Sequence, residues 1–519
     1  MRGADSLVQT LASAGVTRIF ALSGNQIMPI FDACLEAGIE LIHTRHEGAT
    51  VFMAEAYAQL TGQVGVALVT AGGGLANSVG AVASARASDT ALLLLSGDSP
   101  RGQDGTGAFQ EMDQVAITQA VTKWSFRAEA PDGLGADVAR AMACARAGQP
   151  GPVHLALPFD VVKGAADGAV PVVELTEDRS APEDVEAVRT LVAEAERPLV
   201  LLGPSLTPTR HPGLCDELSA ALNAPVFAME SPRGLRDPAM GRIGEVVARA
   251  DLVLCLGKRV DFTLGFGAGE AGWITVSADE ADHAMAAGNL GVRHRAGVVT
   301  PALGMARALC DGPVAQVRDD WQAEAARLVS IRPDGTGDGL TSATLCAAVQ
   351  ECVAGCDESV VICDGGEFGQ WAQALTRGTA RVINGVSGAI GAGLPYAMAA
   401  HVARPGATVF ALSGDGSIGF HFAEFETAAR HGLPFVMVIG NDQRWNAEHQ
   451  IQLRDYGEER LSGCGLTAAR YDLAAEAMGA HGEFVTHAAD LRPALERAVA
   501  SGKPACVNVM IEGLPAPVV

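Results

Sequence analysis

Short apolar runs that end on glycine recur along this chain. One of them ends in a pattern suited to a metal and a diphosphate. That run is Thr408-Val-Phe-Ala-Leu-Ser413, followed by Gly414-Asp415-Gly416-Ser417. The next run, Pro434-Phe-Val-Met-Val-Ile-Gly440, ends at Asn441-Asp442. A helix-like stretch from about Phe422 to His431 lies between them. The pattern is strand, glycine turn, helix, strand. It predicts Asp415 and Asp442 at the carboxyl ends of two parallel strands, where open α/β sheets bind ligands. Two hard oxygen ligands, a turn that bares backbone N–H groups and a helix N-terminus together suit Mg²⁺ and a diphosphate.

The string Gly-Asp-Gly-Ser-Ile-Gly also matches the dinucleotide fingerprint. A dinucleotide turn lets bare backbone approach a pyrophosphate, and an aspartate there repels it unless a cation intervenes. An ordinary strand-to-helix turn with a capping serine would carry the same letters.

Other runs share the pattern. They are Arg18 to Gly24, Gly65 to Gly72, Ala91 to Gly97, Pro198 to Gly203 and Asp251 to Gly257. Continuous apolar runs fit parallel strands buried on both faces. Helical stretches separate them, so the expected class is α/β with doubly wound parallel sheets. A length of 519 residues suggests about three domains. Breaks fall after Pro158, in a Gly/Ala/Pro-rich acidic stretch to about Glu183, and at Ile331 to Gly339. The expected units are residues 1–165, 183–330 and 340–519. Leu94-Leu-Ser-Gly-Asp-Ser99 echoes Leu412-Ser-Gly-Asp-Gly-Ser417 and hints at internal duplication.

Composition narrows the function classes. The net charge of −23, with no Lys/Arg run, argues against nucleic-acid binding. Apolar residues make up 48% and charged ones 19%, enough for a large core. No stretch has the length of a membrane span, and the amphipathic N-terminus lacks a secretory apolar region. The eleven scattered cysteines read as reduced thiols of a cytoplasmic protein.

Upstream, Arg45-His46-Glu47 follows the apolar run Gly38 to Ile42, and a helix from Val51 follows it. Glu47 would sit near a strand's carboxyl end, where acids also serve simply as helix N-terminal residues. Thr70-Ala-Gly-Gly-Gly74 with Asn77 is a glycine turn opening a helix. Phe109-Gln110-Glu111 precedes Val121 to Trp124. Ser387 to Pro395 is a second glycine turn, with bulky Ile390 among small residues.

Taken in order, these motifs resemble thiamine-diphosphate enzymes of the acetolactate synthase type. They resemble benzaldehyde lyase and the oxalyl-CoA decarboxylase/2-hydroxyacyl-CoA lyase branch as well. The resemblance runs through Gly24 and Met28 to Asp32, Arg45 to Glu47, Thr70 to Asn77, Phe109 to Glu111, Gly151 to Pro158, and Gly414 to Asp442. It implies pyrimidine-binding, central and diphosphate-binding domains. It implies that Glu47 bonds the cofactor's N1′ nitrogen and favours loss of the thiazolium C2 proton. Ile390 would hold the cofactor bent, and the Gly388 carbonyl would accept from its amino group. Asp415, Asp442 and the Arg444 carbonyl would hold Mg²⁺. Gly414, Gly416 and Ser417 would cradle the diphosphate, Asn441 and Trp445 would belong to the cofactor site, and Gln110 would join Glu47 as a catalytic residue. The family places Glu47 and the diphosphate site on different subunits, which implies at least a homodimer and commonly a homotetramer. The family has Asn-Asn where this chain has Asn441-Asp442, and synthases commonly have Gly-Pro-Gly where it has Gly72-Gly73-Gly74.

The resemblance leaves the substrate open among 2-oxo acids, acyloins or aldehydes and acyl-CoA thioesters. Candidate pocket residues are Asn25, Gln26, Gln110, Glu367, Phe368, Trp371, Trp445 and His449. Gln26 stands near the position of an active-site histidine in benzaldehyde lyase. His449 could equally be a surface helix residue. The segment Leu256 to Gly267 looks closer to the CoA-lyase branch, and Pro204-Ser205 replaces a glycine-rich turn, so FAD is not expected. No long C-terminal lid follows Ala516, which predicts an open pocket. A nucleotide-binding oxidoreductase remains a distant alternative.

Overall fold

Gly65-Val-Ala-Leu-Val69 is buried at every position, as a strand covered on both faces must be. It is β3 of a first sheet, with β1 (Arg18–Ala21), β2 (Glu40–His43), β4 (Leu92–Asp98), β5 (Trp124–Arg127) and β6 (Pro152–Pro158). The computed structural model describes residues 1–167, 170–174, 178–312, 316–334 and 339–519. A second sheet holds β7 (Pro198–Leu202), β8 (Val226–Ala228), β9 (Leu252–Leu256), β10 (Gly272–Ser277) and β11 (His294–Val299). A third holds β12 (Ser359–Cys363), β13 (Ala380–Ile383), β14 (Thr408–Gly414), β15 (Phe435–Asn441), β16 (His481–Val485) and β17 (Pro504–Met510). The pairings in all three sheets are parallel. The protein is thus an α/β chain of three parallel sheets with flanking helices, as the glycine-terminated runs predicted.

The first and third sheets share one strand order: β2-β1-β3-β4-β6-β5 and β13-β12-β14-β15-β17-β16. The Ser-Gly-Asp echo does not follow this match. Asp98 ends β4, the equivalent of β15, whereas Gly414 ends β14, the equivalent of β3. The repeat lies in the topology, and the shared letters fall on non-equivalent strands.

Two helices join these sheets. The helix Glu47–Thr61 is buried from Gly48 through Leu60, and Gly393–Ala403 from Gly393 through Ala400. Neither has a polar face, so each must be covered on all sides. Alanines at 49, 54, 56 and 58 and at 397, 399 and 400 permit close approach, and the two helices pack on each other. Phe52 meets Tyr396 edge-on at 5.7 Å, a geometry worth about 1 kcal/mol beyond area burial. One apolar cluster runs from Phe20 and Ile42 through this contact to Ile362 and Phe425.

The two expected breaks, after Pro158 and at Ile331 to Gly339, include residues 168–169, 175–177 and 335–338, which lie outside the described residues. Among the described residues no helix is long and apolar enough to cross a membrane.

Candidate functional site

Strand β14 ends at Gly414, and a short helix, Asp415–Ile418, begins at once. Its neighbour β15 ends at Asn441, so Asp442 lies beside Asp415. Both carboxyl groups are buried. Burial and the charge of Asp442 push the Asp415 carboxyl well above the usual carboxylate range. Burial also pushes Asp442 up, opposed by Arg444. Asp415 Oδ2 has no hydrogen-bond partner. An orphaned buried carboxylate oxygen facing a second carboxylate is a donor set that a hard divalent cation would satisfy. Among the described residues no group of three or more His, Cys, Asp or Glu is gathered for a metal, so two carboxylates are the acidic share of this site.

Around them lies a cleft of about 190 Å³, partly open to solvent. Gly388, Ile390, Gly414, Asp415, Gly416, Ser417, Asp442, Arg444 and Trp445 line it, together with Glu367 and Phe368. Gly416 and Gly440 are sterically required. A Cβ on Gly416 would sit 2.6 Å from the Trp445 ring, and one on Gly440 would sit 2.8 Å from Phe368. Gly388 has φ +67°, a conformation natural to glycine. Ile390 is backed by Gly365, where a Cβ would come within 2.6 Å of its Cγ2.

Some expected residues lie elsewhere. Asn441 turns away from the cleft: its amide donates to Asn508 Oδ1 at 3.1 Å and to the Ala469 carbonyl. It secures the end of β15. Trp371 stands behind the cleft wall, because its indole N–H donates to the Pro515 carbonyl. His449 contacts Arg444 at 3.2 Å and does not line the cleft. The side expected to be open is flanked by the chain's last residues. Asn446 donates to the Leu514 carbonyl, and the Ala516 N–H donates to Glu367.

Two contributors escaped the sequence reading. Asp364, just after β12, accepts from the N–H groups of Gly365, Gly391 and Gly393 and from the Ser413 hydroxyl. It pins the Ile390 turn to β14. Burial pushes its pKa up and these donors pull it down. The run Cys363-Asp-Gly-Gly366 carried the signal of an acid at a strand end before glycines. Arg233, from the central sheet's loops, also lines the cleft. No local sequence signal brings it there.

Glu47 belongs to a separate group. It is the first residue of its helix, which begins four residues before the expected Val51 because the His46 ring caps it by accepting from Gly48 N–H at 2.9 Å. Asn77 donates to Glu47 Oε2 at 3.0 Å. The Gly74 backbone leaves room for Oε1, which would lie 3.5 Å from a Cβ there. Beside it, Thr70 donates to Gln26, and Gln26 donates to Gln110. Gln110 itself has φ +59°. Glu111 accepts from Gly105, Gly107 and Ala108 N–H groups and so shapes the loop carrying Gln110. Asn25 is exposed at the edge of this group. None of these residues lines the cleft around Asp415.

The fold and the two groups set a pair of buried carboxylates in a glycine-lined cleft on the third sheet and a separate carboxylate on the matching first sheet. Comparison with known proteins agrees. Residues 1–117 match the N-terminal TPP binding domain of thiamine pyrophosphate enzymes, and residues 364–509 match the C-terminal TPP binding domain. The acetolactate synthase large subunit IlvG of Mycobacterium tuberculosis is 31% identical over 99% of this chain and 96% of its own length. The 2-hydroxyacyl-CoA lyase 2 of Bos taurus is 30% identical over 98% of this chain and 90% of its own. The acetolactate synthase isozyme 2 large subunit of Escherichia coli is 29% identical, covering 99% and 96%. The chain belongs to the thiamine pyrophosphate enzymes. It is a thiamine-diphosphate-dependent enzyme of the acetolactate synthase/2-hydroxyacyl-CoA lyase type.

Proposed function

We propose that this enzyme forms or cleaves a C–C bond next to a carbonyl, using Mg²⁺ with thiamine diphosphate, as a carboligase or decarboxylase of 2-oxo acids or acyloins. The orphaned Asp415 Oδ2 facing Asp442, beside the Gly416–Ser417 turn, carries this reading. Asp415, Asp442 and the Arg444 carbonyl would hold the metal. Gly414, Gly416 and Ser417 would cradle the diphosphate, with Trp445 packed on Gly416. Ile390 and the Gly388 carbonyl would meet the aminopyrimidine. When bound, thiamine diphosphate supplies a carbon nucleophile and an electron sink. Glu47 Oε1, left free by Asn77, would share a proton with the N1′ nitrogen. Gln110, held by Gln26, would orient the reacting acyl group.

The separation of Glu47 from the cleft supports a homodimer as the smallest active unit, with a second copy bringing its Glu47 to the first copy's cleft. Phe109 and Phe420, 72% and 55% exposed beside the two groups, would be covered in that assembly, and a homotetramer would follow by pairing. The three sheets support units at residues 1–165, 183–330 and 340–519 as pyrimidine-binding, central and diphosphate-binding domains. Eleven unpaired cysteines support a reducing, cytoplasmic compartment.

The similarity to 2-hydroxyacyl-CoA lyase 2 favours a second reading, the lyase or oxalyl-CoA decarboxylase type. Membership of the family leaves no support for a nucleotide-binding oxidoreductase. A donor and acceptor screen with added Mg²⁺ and thiamine diphosphate separates the two readings. Turnover of pyruvate supports the first, and turnover of formyl-CoA with an aldehyde supports the second. Failure to bind thiamine diphosphate would sink both.

A further inference from the structure

The cleft is strongly acidic. Asp415, Asp442, Glu367 and Glu448 line it, against two arginines, Arg233 and Arg444. Arg444 is committed: its Nε donates to the Asp442 carbonyl at 3.1 Å and its Nη1 meets His449. The Arg233 guanidinium is exposed. Among the described residues it makes no hydrogen bond and no ion pair, although its charge reaches Glu367. Its backbone, by contrast, is fixed. The Arg233 N–H donates to Ser231 Oγ at 3.2 Å. The following Gly234 has φ +53° and presses against Thr263, whose carbonyl oxygen would be 1.9 Å from a Cβ there. A fixed loop therefore presents an unengaged cation to a cleft where four carboxylates face only one other, committed arginine.

We propose that Arg233 anchors the anionic group of the substrate at the cleft mouth. This rests on the function proposed above. A 2-oxo acid brings a carboxylate, and an acyl-CoA brings phosphates. Either must enter a cleft whose remaining acids repel it. The metal would neutralise Asp415 and Asp442, but Glu367 and Glu448 would still face the entering anion. A planar guanidinium binds carboxylate or phosphate by paired hydrogen bonds, and an ammonium in its place keeps the charge while losing the fork. The central domain thus contributes to substrate choice without touching the cofactor.

The test compares wild type with Arg233→Ala, Arg233→Lys and Glu367→Gln, using pyruvate, formyl-CoA and neutral benzaldehyde as probes. Thiamine diphosphate binding to wild type, followed by calorimetry, tests the underlying reading by itself. For the anchor, Arg233→Ala should raise KM for the anionic probe about tenfold with kcat nearly kept, as expected for one partly exposed charge contact. Arg233→Lys should recover part of the loss, and Glu367→Gln should lower the same KM. The KM for benzaldehyde should not move. A rise for pyruvate identifies a carboxylate as the anchored group, and a rise for formyl-CoA identifies its phosphates. Equal changes for charged and neutral probes, or none, would overturn the proposal. Should neither anion be turned over, calorimetric binding of both anions to wild type and Arg233→Ala decides it: weaker binding in the variant supports the anchor, and equal or absent binding rejects it.

Discussion

The Tyr396 hydroxyl donates a 2.8 Å hydrogen bond to Glu55 Oε2, joining the helix Glu47–Thr61 to the helix Gly393–Ala403. Both side chains are buried. Each helix follows the edge strand of its sheet, β2 or β13, and these strands are equivalent in the shared order. Glu47 opens the first helix, and Ile390 stands three residues before the second. The two residues proposed to grip the aminopyrimidine therefore arise from matching places in two copies of one topology. Because the proposed dimer pairs Glu47 of one copy with Ile390 of the other, the Glu55–Tyr396 bond links, within one chain, helices that would serve two different clefts.

The burial of Glu55 should give the protein a pH-dependent stability. Burial pushes Glu55 from 4.5 up to about 7, while the bond from Tyr396 and the charge of Arg210 pull it down. A raised folded pKa means the folded chain holds the proton more tightly than the unfolded one. The resulting stabilisation is complete below about 4.5 and is lost as pH rises through about 7. From pH 5 to 8 the loss is on the order of 2 kcal/mol. Thermal melts of wild type should show this slope, and Glu55→Gln should lack it. Parallel melting curves across that range would assign the slope to other groups.

Much of this frame was legible because parallel strands announce themselves. Runs such as Leu92 to Leu95 and Val436 to Ile439 are buried on both faces and read as unbroken apolar stretches. The acids at the ends of β14 and β15 were legible for the same reason: a strand ending fixes where the next side chain goes. Edge strands were harder. Trp124–Arg127 is half-buried throughout and has no apolar run to mark it. The direction of Asn441 was not legible, because its letter fits a cofactor residue equally well and only Asn508, 67 residues on, shows which way its amide turns. Arg233 reaches the cleft from another sheet, which depends on packing rather than on any local pattern.

Glu47→Gln should retain thiamine diphosphate but lose exchange of its C2 proton. The amide keeps the shape beside Asn77 and Gly74 and cannot share a proton with N1′. The fall should be about 100-fold or more, the usual scale for removing a general acid–base group. Proton exchange followed by NMR in deuterated buffer reads it directly. Exchange near the wild-type rate would remove Glu47 from the role.

The two aspartates should respond unequally. Asp415→Ala removes the orphaned carboxylate and should weaken Mg²⁺-dependent cofactor binding by about 100-fold or more, since a direct ligand matters at least as much as its supporting shell. Asp442→Asn keeps an oxygen toward the metal and relieves the repulsion between the pair. It should bind cofactor within about tenfold of wild type. Titration with thiamine diphosphate at fixed Mg²⁺ measures both. A folded Asp442→Asn protein without cofactor affinity would show that the metal sits elsewhere.

The purified enzyme should be colourless and fully active without FAD. The central sheet does carry a small cavity of about 50 Å³ at the ends of β7, β9 and β10, the place where a nucleotide would be sought. Its lining is poor for a pyrophosphate. Ser205, Leu206, Gly257, Ser277 and Ala302 face it, with Asp178, and no Lys or Arg is among its lining residues. His211 also faces it, but burial and the nearby Arg307 charge lower its pKa to about 4, so it is neutral there at pH 7. The turn after β7 is Gly203-Pro204-Ser205, and Pro204 removes one backbone N–H that an anion would use. Gly203 is meanwhile pressed against Gly257, whose carbonyl oxygen would be 2.0 Å from a Cβ there. The visible absorbance of the purified protein and its activity with and without added FAD measure the outcome. A stoichiometric flavin spectrum, or activity restored only by FAD, would place the cofactor in this cavity despite its missing cation.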